Sequence, residues 1–142
     1  MVSLSDHFYT TDSKDMAPSG YMFEGITGYL FTSKFANTIA LHHWFNPILH
    51  DNFYTHEEPQ GSPSNDGYEY QGIVGYLYRY PTRGTAPLLR WWNRGSGDHF
   101  YTTNPRGEIA PQVGYAFEGV TGYLHPEPVE GTIPLFRWYR GE

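Results

Sequence analysis

Cysteine is absent from the 142 residues, which excludes disulfides, thiolate metal sites and cysteine nucleophiles together. Basic residues are scarce. Nine Lys and Arg against fifteen Asp and Glu leave a formal charge of -6, and a protein that binds nucleic-acid phosphates needs a basic face. No apolar run approaches the roughly 18 residues of a membrane-spanning helix, so neither nucleic acid nor membrane insertion is expected. The opening MVSLSDHFYTT has neither a basic n-region nor an apolar h-region, so the expected location is cytoplasmic, or outside the cell after export without a signal peptide. No N-x-[ST] sequon occurs. No stretch keeps the i, i+3, i+4, i+7 apolar pattern for a helix's length. Catalytic signatures are missing too: there is no G-x-S-x-G, and His56-Glu57-Glu58 is not H-E-x-x-H.

Aromatic residues are abundant at 18%, and 16 Gly with 11 Pro make turns frequent. A 39% apolar fraction suits one modest core, hence a single domain over 1–142. The chain is organised by a repeat. GYMFEGITGYLF from Gly20, GYEYQGIVGYLY from Gly67 and GYAFEGVTGYLH from Gly114 recur every 47 residues, as do Trp44, Trp91 and Trp138. DHFYT at Asp6, DNFYT at Asp51 and DHFYT at Asp98 form a further block. Three repeats, 1–46, 47–93 and 94–142, consume the chain.

Each repeat divides into four strand-like runs, as in 99–103, 115–120, 121–125 and 132–139, rich in aromatic and β-branched residues. The EGITG, QGIVG and EGVTG segments fit either tight hairpins or glycine bulges. Pro87 and Pro134 suit strand edges or starts. One repeat cannot bury its own apolar face, so the three must close around a common axis. The expected fold is all-β, a pseudo-threefold β-trefoil of three 47-residue repeats with four strands each. The alternative is a three-bladed propeller, disfavoured because propellers typically have four to eight blades. Phe8, Phe53 and Phe100, with the leucine trios at 30, 77, 124 and 41, 88, 135, are the expected core.

The polar trios are candidate functional residues. Glu24, Gln71 and Glu118 sit in aromatic strands. They fit either ion pairs, Glu118 with Arg137, Gln71 with Arg90 and Glu24 with His43, or acceptors for ligand hydroxyls. Asp6, Asp51 and Asp98 fit either turn caps or a sugar site. The sugar reading rests on what surrounds them: His7, Asn52 and His99, then Tyr9, Tyr54 and Tyr101, with Trp44, Trp91 and Trp138 and the amides of Asn46 and Asn93 near in sequence. Sugars offer hydroxyls to planar acceptors and an apolar face to rings. His42, His43, His50 and Asp51 have metal-ligand chemistry, but the other repeats lack matching histidines, so no metal and no cofactor is expected. Asp98 and Glu118 could pair as in a glycosidase, but threefold duplication of every group speaks against a single asymmetric active site, and no enzyme activity is expected.

The string DHFYTT…GYxFEGxxGYL…PLxRW resembles an uncharacterised tandem-repeat family of fungal and bacterial proteins, often found beside hydrolase or adhesion-like modules. The threefold architecture also resembles the small β-trefoil-type lectins of fungi, although the Q-x-W of ricin-type trefoils is missing, His42, Leu89 and Phe136 standing two before the tryptophans. The family resemblance implies little about activity and assigns no residue, and the resemblance to lectins is one of architecture. The expected function is non-enzymatic carbohydrate binding at two or three related shallow sites. The alternative is a protein-interaction module, such as a protease inhibitor or toxin-associated domain, acting through a divergent loop at 57–66 or 31–37.

Overall fold

The computed structural model describes residues 5–12, 18–57, 63 and 66–141, and every structural statement here concerns those residues. Most of the divergent loop at 57–66 therefore lies outside them. Nine strands run in chain order: β1 (Asp6–Thr10), β2 (Met22–Phe31), β3 (Thr38–Asn46), β4 (Asp51–Thr55), β5 (Glu69–Tyr78), β6 (Ala86–Asn93), β7 (Asp98–Thr102), β8 (Tyr115–Leu124) and β9 (Thr132–Arg140). The strands are accompanied by a 3₁₀ turn at Ala110–Val113, and Pro63 is helical; the fold is otherwise all-β among the described residues. No helix is long and apolar enough to cross a membrane.

The expected count of four strands per repeat is corrected to three. The second and third runs of each repeat form one ten-residue strand, because the glycine segment is a bulge and not a hairpin. Gly25, Gly72 and Gly119 take φ of +123°, +120° and +133°, and the pairing of β2 with β9 slips between Phe23 and Gly25 and again between Ile26 and Gly28. A bulge bends the strand and lets the chain continue, where a hairpin would have reversed it.

The strands pair across repeat boundaries. β3 lies between β4 and β5, β6 between β7 and β8, and β9 between β1 and β2, all antiparallel. The C-terminal strand is thus inserted between the first two of the chain. The long strands join these three-stranded units at their ends, through Phe31 with Tyr76, Tyr78 with Tyr123 and Tyr29 with His125. Pro87 and Pro134 fall near the starts of β6 and β9, ahead of the stretches where those strands have a neighbour on both sides.

Alternation does the rest. Leu30, Leu77 and Leu124 and their counterparts Leu41, Leu88 and Leu135 point inward and form one core with Tyr9, Tyr54 and Tyr101. The long strands approach so closely there that a Cβ on Gly28 would lie 1.8 Å from Leu124 Cδ1. Gly28→Ala is therefore expected to destabilise the protein by about 1–3 kcal/mol through overpacking, read as a lower urea midpoint at unchanged slope.

Candidate functional site

The DxFYT strands β1, β4 and β7 lie innermost and are almost entirely buried. Their tyrosines close a ring. The Tyr54 hydroxyl accepts from the Tyr9 backbone N–H at 2.8 Å and donates to the Tyr9 carbonyl at 2.9 Å. Tyr101 does the same for Tyr54, and Tyr9 for Tyr101. The rings meet edge to face with centroids 5.3–5.5 Å apart. Burial pushes all three phenols well above their ordinary range. Tyr9, Tyr54 and Tyr101 are thus core residues, which corrects the expectation that they stack on a ligand.

The aspartates form a second ring beside the first. Asp6, Asp51 and Asp98 are 0% exposed, and each serves the strand of another repeat. Asp98 accepts from the His7 backbone N–H at 2.9 Å and lies 2.6 Å from His7 Nδ1. Asp51 binds His99 in the same way at 2.8 and 2.6 Å, and Asp6 accepts from the backbone and side-chain N–H groups of Asn52. Tyr115, Tyr68 and Tyr21 each donate a hydroxyl to Asp98, Asp51 and Asp6 respectively. The aspartates neither cap local turns nor face a ligand; they lock the repeats together. One oxygen of each lies within 4.8 Å of one from each of the others, and both oxygens of every carboxylate already take part in hydrogen bonds. His42 and His43 turn to Tyr70 and Asn52, not to a shared centre.

Two further groups of expected contacts are corrected. Trp44, Trp91 and Trp138 are buried against Tyr70, Phe117 and Phe23 respectively. Asn46 and Asn93 hold turns: Asn46 Oδ1 accepts from Ile48 and Leu49 N–H, Asn93 Oδ1 from Ser96 N–H, and their amides donate to the Asp66 and Val113 carbonyls. Asn and Asp do this readily because the side chain mimics a backbone turn.

Outward from the aspartates, the same chemistry continues to the surface. His99 Nε2 lies 3.2 Å from Glu118, which also accepts from Arg90 Nε at 2.9 Å. His7 Nε2 lies 3.7 Å from Glu24, which accepts from Arg137 Nε at 3.0 Å. Arg137 donates two further bonds to Glu108 at 2.8 and 3.1 Å. In the third position Asn52 accepts from His43 Nε2 at 2.7 Å. The expected ion pairs are therefore shifted by one repeat, Glu24 with Arg137 and Glu118 with Arg90, because β9 pairs with β2 and β6 with β8. Burial works against a charged His99, but its bonds to Asp51 and Glu118 outweigh it and raise the pKa. Burial likewise opposes a charged Glu118, and His99 with Arg90 holds its carboxyl below the ordinary value. Burial lowers the pKa of His43.

These side chains line three pockets, each in the gap between two three-stranded units. The first, about 310 Å³, holds His7, Glu24, Arg137, Phe100, Tyr115 and Tyr139. The second, about 370 Å³, holds His99, Glu118, Arg90, Phe53, Tyr68 and Trp92. The third, about 310 Å³, holds Asn52, Gln71, His43, Phe8, Tyr21 and Phe45. Position for position these are the same residues of successive repeats. Arg90 and Arg137 lie over Phe53 and Phe100 at 5.0 and 4.9 Å, cation–π distances that fix the guanidinium on the pocket wall. Of the residues expected to bind ligand, His7, Glu24, Asn52, Gln71, His99 and Glu118 do meet in these pockets. They group across repeats: Asp98 with His7 and Glu24, Asp51 with His99 and Glu118, Asp6 with Asn52 and Gln71.

The residues that sequence reasoning missed as pocket walls are Phe45, Trp92 and Tyr139, with Tyr21, Tyr68 and Tyr115; Phe53 and Phe100 are buried as expected of core residues and Phe8 is half-buried, and all three also border the pockets. The signal was present, since one aromatic follows each repeated tryptophan.

A family model described as Domain of unknown function (DUF5648) matches the chain twice, over residues 2–78 and 60–142. No curated protein and no solved structure matches it.

Proposed function

We propose that the chain, which belongs to the DUF5648 family, is a non-enzymatic carbohydrate-binding module with three related sites in the gaps between its sheets. The observation that carries this reading is the threefold recurrence of one pocket pattern. Each pocket has half-exposed rings (Tyr139, Trp92, Phe45), a carboxylate or amide at the mouth (Glu24, Glu118, Gln71) and a cationic or imidazole donor beside it (Arg137, Arg90, His43). A sugar's C–H face packs on such rings, and its hydroxyls chelate planar acceptors and donors held rigid by their neighbours. Three weak sites on one rigid body raise apparent affinity for a glycan-coated surface by about 10²–10⁴. A three-bladed propeller accommodates this reading better than a β-trefoil: three three-stranded units, joined only at the ends of their long strands and the last closed by both chain ends, would serve as its blades around the short strands β1, β4 and β7.

Titration with a monosaccharide selected from a glycan array is expected to give two or three equivalents per chain. Trp92→Ala should remove one of them, weakening that site about tenfold or more for loss of a stacking ring, with an unchanged melting curve because Trp92 is only partly buried. An array without any hit at concentrations that reach millimolar sites would end the carbohydrate reading.

A further inference from the structure

The three pockets share their geometry and differ in charge. The pocket of Glu24 also carries Glu108, and the pocket of Glu118 carries Glu57 and Asp66. Each sets a single guanidinium against two or more carboxylates. In the third pocket no described lining residue is a carboxylate. Gln71 stands where the others have glutamate, His43 where they have arginine, and His50 adds a second imidazole. Arg140 takes the place that Asn46 and Asn93 occupy in the other repeats, and where those amides hold a turn, Arg140 lines the pocket. Arg90 and Arg137 are both ion-paired; among the described residues Arg140 forms no ion pair. Phe8 and Phe45 keep the ring platform.

Resting on the carbohydrate reading, we infer that the pocket of Arg140, His43 and Gln71 takes an acidic sugar, a uronate, while the two glutamate pockets take neutral sugars. A guanidinium meets a carboxylate with two parallel charge-assisted hydrogen bonds, and Asn52, Gln71 and the imidazoles remain for the ring hydroxyls. The same carboxylate entering either of the other pockets would face two or more like charges, a repulsion that selects against it.

The test is a titration of ¹⁵N-labelled protein with matched pairs: glucose and glucuronate, galactose and galacturonate, mannose and mannuronate. At least one uronate is expected to shift the amides of His43, Gln71 and Arg140 about tenfold more tightly than its parent sugar, the size of one charge-assisted bond, while parent sugars shift those of Glu24 and Glu118. Arg140→Gln should abolish that preference. Gln71→Glu should abolish it independently, by adding a like charge, and leave neutral-sugar binding at the other pockets unchanged. Uronates that shift Glu24 and Glu118 as readily as Gln71, or that bind Arg140→Gln as tightly as the unmodified chain, overturn the inference. So does a panel in which parent sugars bind and no uronate prefers the third pocket. If none of the six sugars shifts any pocket, the carbohydrate reading itself falls.

Discussion

Tyr101→Phe is expected to destabilise the protein by about 2–5 kcal/mol, a large effect for the removal of one oxygen atom. The Tyr101 hydroxyl lies in the closed tyrosine ring, where it accepts from the Tyr54 backbone N–H at 2.7 Å and donates to the Tyr54 carbonyl at 2.7 Å. Tyr101 is 1% exposed, so no water replaces the lost oxygen. One buried donor and one buried acceptor are left without partners, each costing about 1–3 kcal/mol. The phenyl ring itself stays, with its edge-to-face contacts to Tyr9 and Tyr54, so the change isolates the hydrogen bonds from the packing. Urea unfolding of Tyr101→Phe, Tyr54→Phe and the double variant measures this. The double variant should cost close to the sum, because the Tyr101 hydroxyl bonds the Tyr54 backbone and the Tyr54 hydroxyl bonds the Tyr9 backbone, so the two changes remove no shared hydrogen bond. A loss below about 0.5 kcal/mol for Tyr101→Phe would mean that the ring is wet and carries little.

The repeat, the strand character and the leucine core were legible in the sequence because each rests on local information: period, β-propensity and alternation. Which residues meet across repeats was not legible, because it depends on the closure of the whole chain. Glu118 sits beside Arg90 and Glu24 beside Arg137 only because β9 enters between β1 and β2 and the other closing strands follow the same scheme. Within a single repeat, Glu118 and Arg137 look equally suited. The burial of Asp6, Asp51 and Asp98 was hidden for a related reason. An aspartate before an aromatic strand ordinarily reads as a surface or turn residue, since a buried carboxylate is costly unless it is hydrogen-bonded. Here the donors that satisfy each one come from elsewhere in the chain, His7 N–H for Asp98 and His99 N–H for Asp51, at separations of 91 and 48 residues. The glycine segments left hairpin and bulge open, and the positive φ of Gly25, Gly72 and Gly119 serves either; the pairing partner β9, β3 or β6 decides for the bulge.

Stability is expected to fall as pH rises from about 6.5 to 8, and Asp6 is expected to be the main cause. Burial pushes its carboxyl up to about 8, against the pull of the Tyr21 hydrogen bond and with a further push from Asp98 and Asp51. The partners of Asp6, Asn52 and Tyr21, are neutral, and burial raises the Asp51 carboxyl in the same direction, against the pull of its bond to His99. Between the unfolded value of Asp6 near 3.8 and about 8, the folded chain holds a proton that the unfolded chain lacks. Stability then declines by about 1.4 kcal/mol per pH unit for one such proton. His99, raised by Asp51 and Glu118 against its burial, acts in the same direction: its contribution is complete below its unfolded value near 6.5 and is lost as pH rises through the folded one. His43, lowered by burial, acts oppositely, but only below 6.5, where the unfolded chain takes up the proton that the folded ring refuses. Glu108, lowered by its Arg137 bonds, and Glu118 lose their contributions at the acid end, below about 4.5. Stability should therefore peak near pH 4–5 and decline from there, most steeply above 6.5, where His99 adds to Asp6 and His43 no longer opposes it, by about 2 kcal/mol or more between pH 6.5 and 8. Urea midpoints at half-unit steps of pH measure the profile. Asp6→Asn, which carries no titrating proton, should flatten the alkaline limb whatever its absolute stability. A profile that stays level from pH 6.5 to 8 in the unmodified chain, or an alkaline limb unchanged in Asp6→Asn, would show that the three aspartates lie together without holding a proton there.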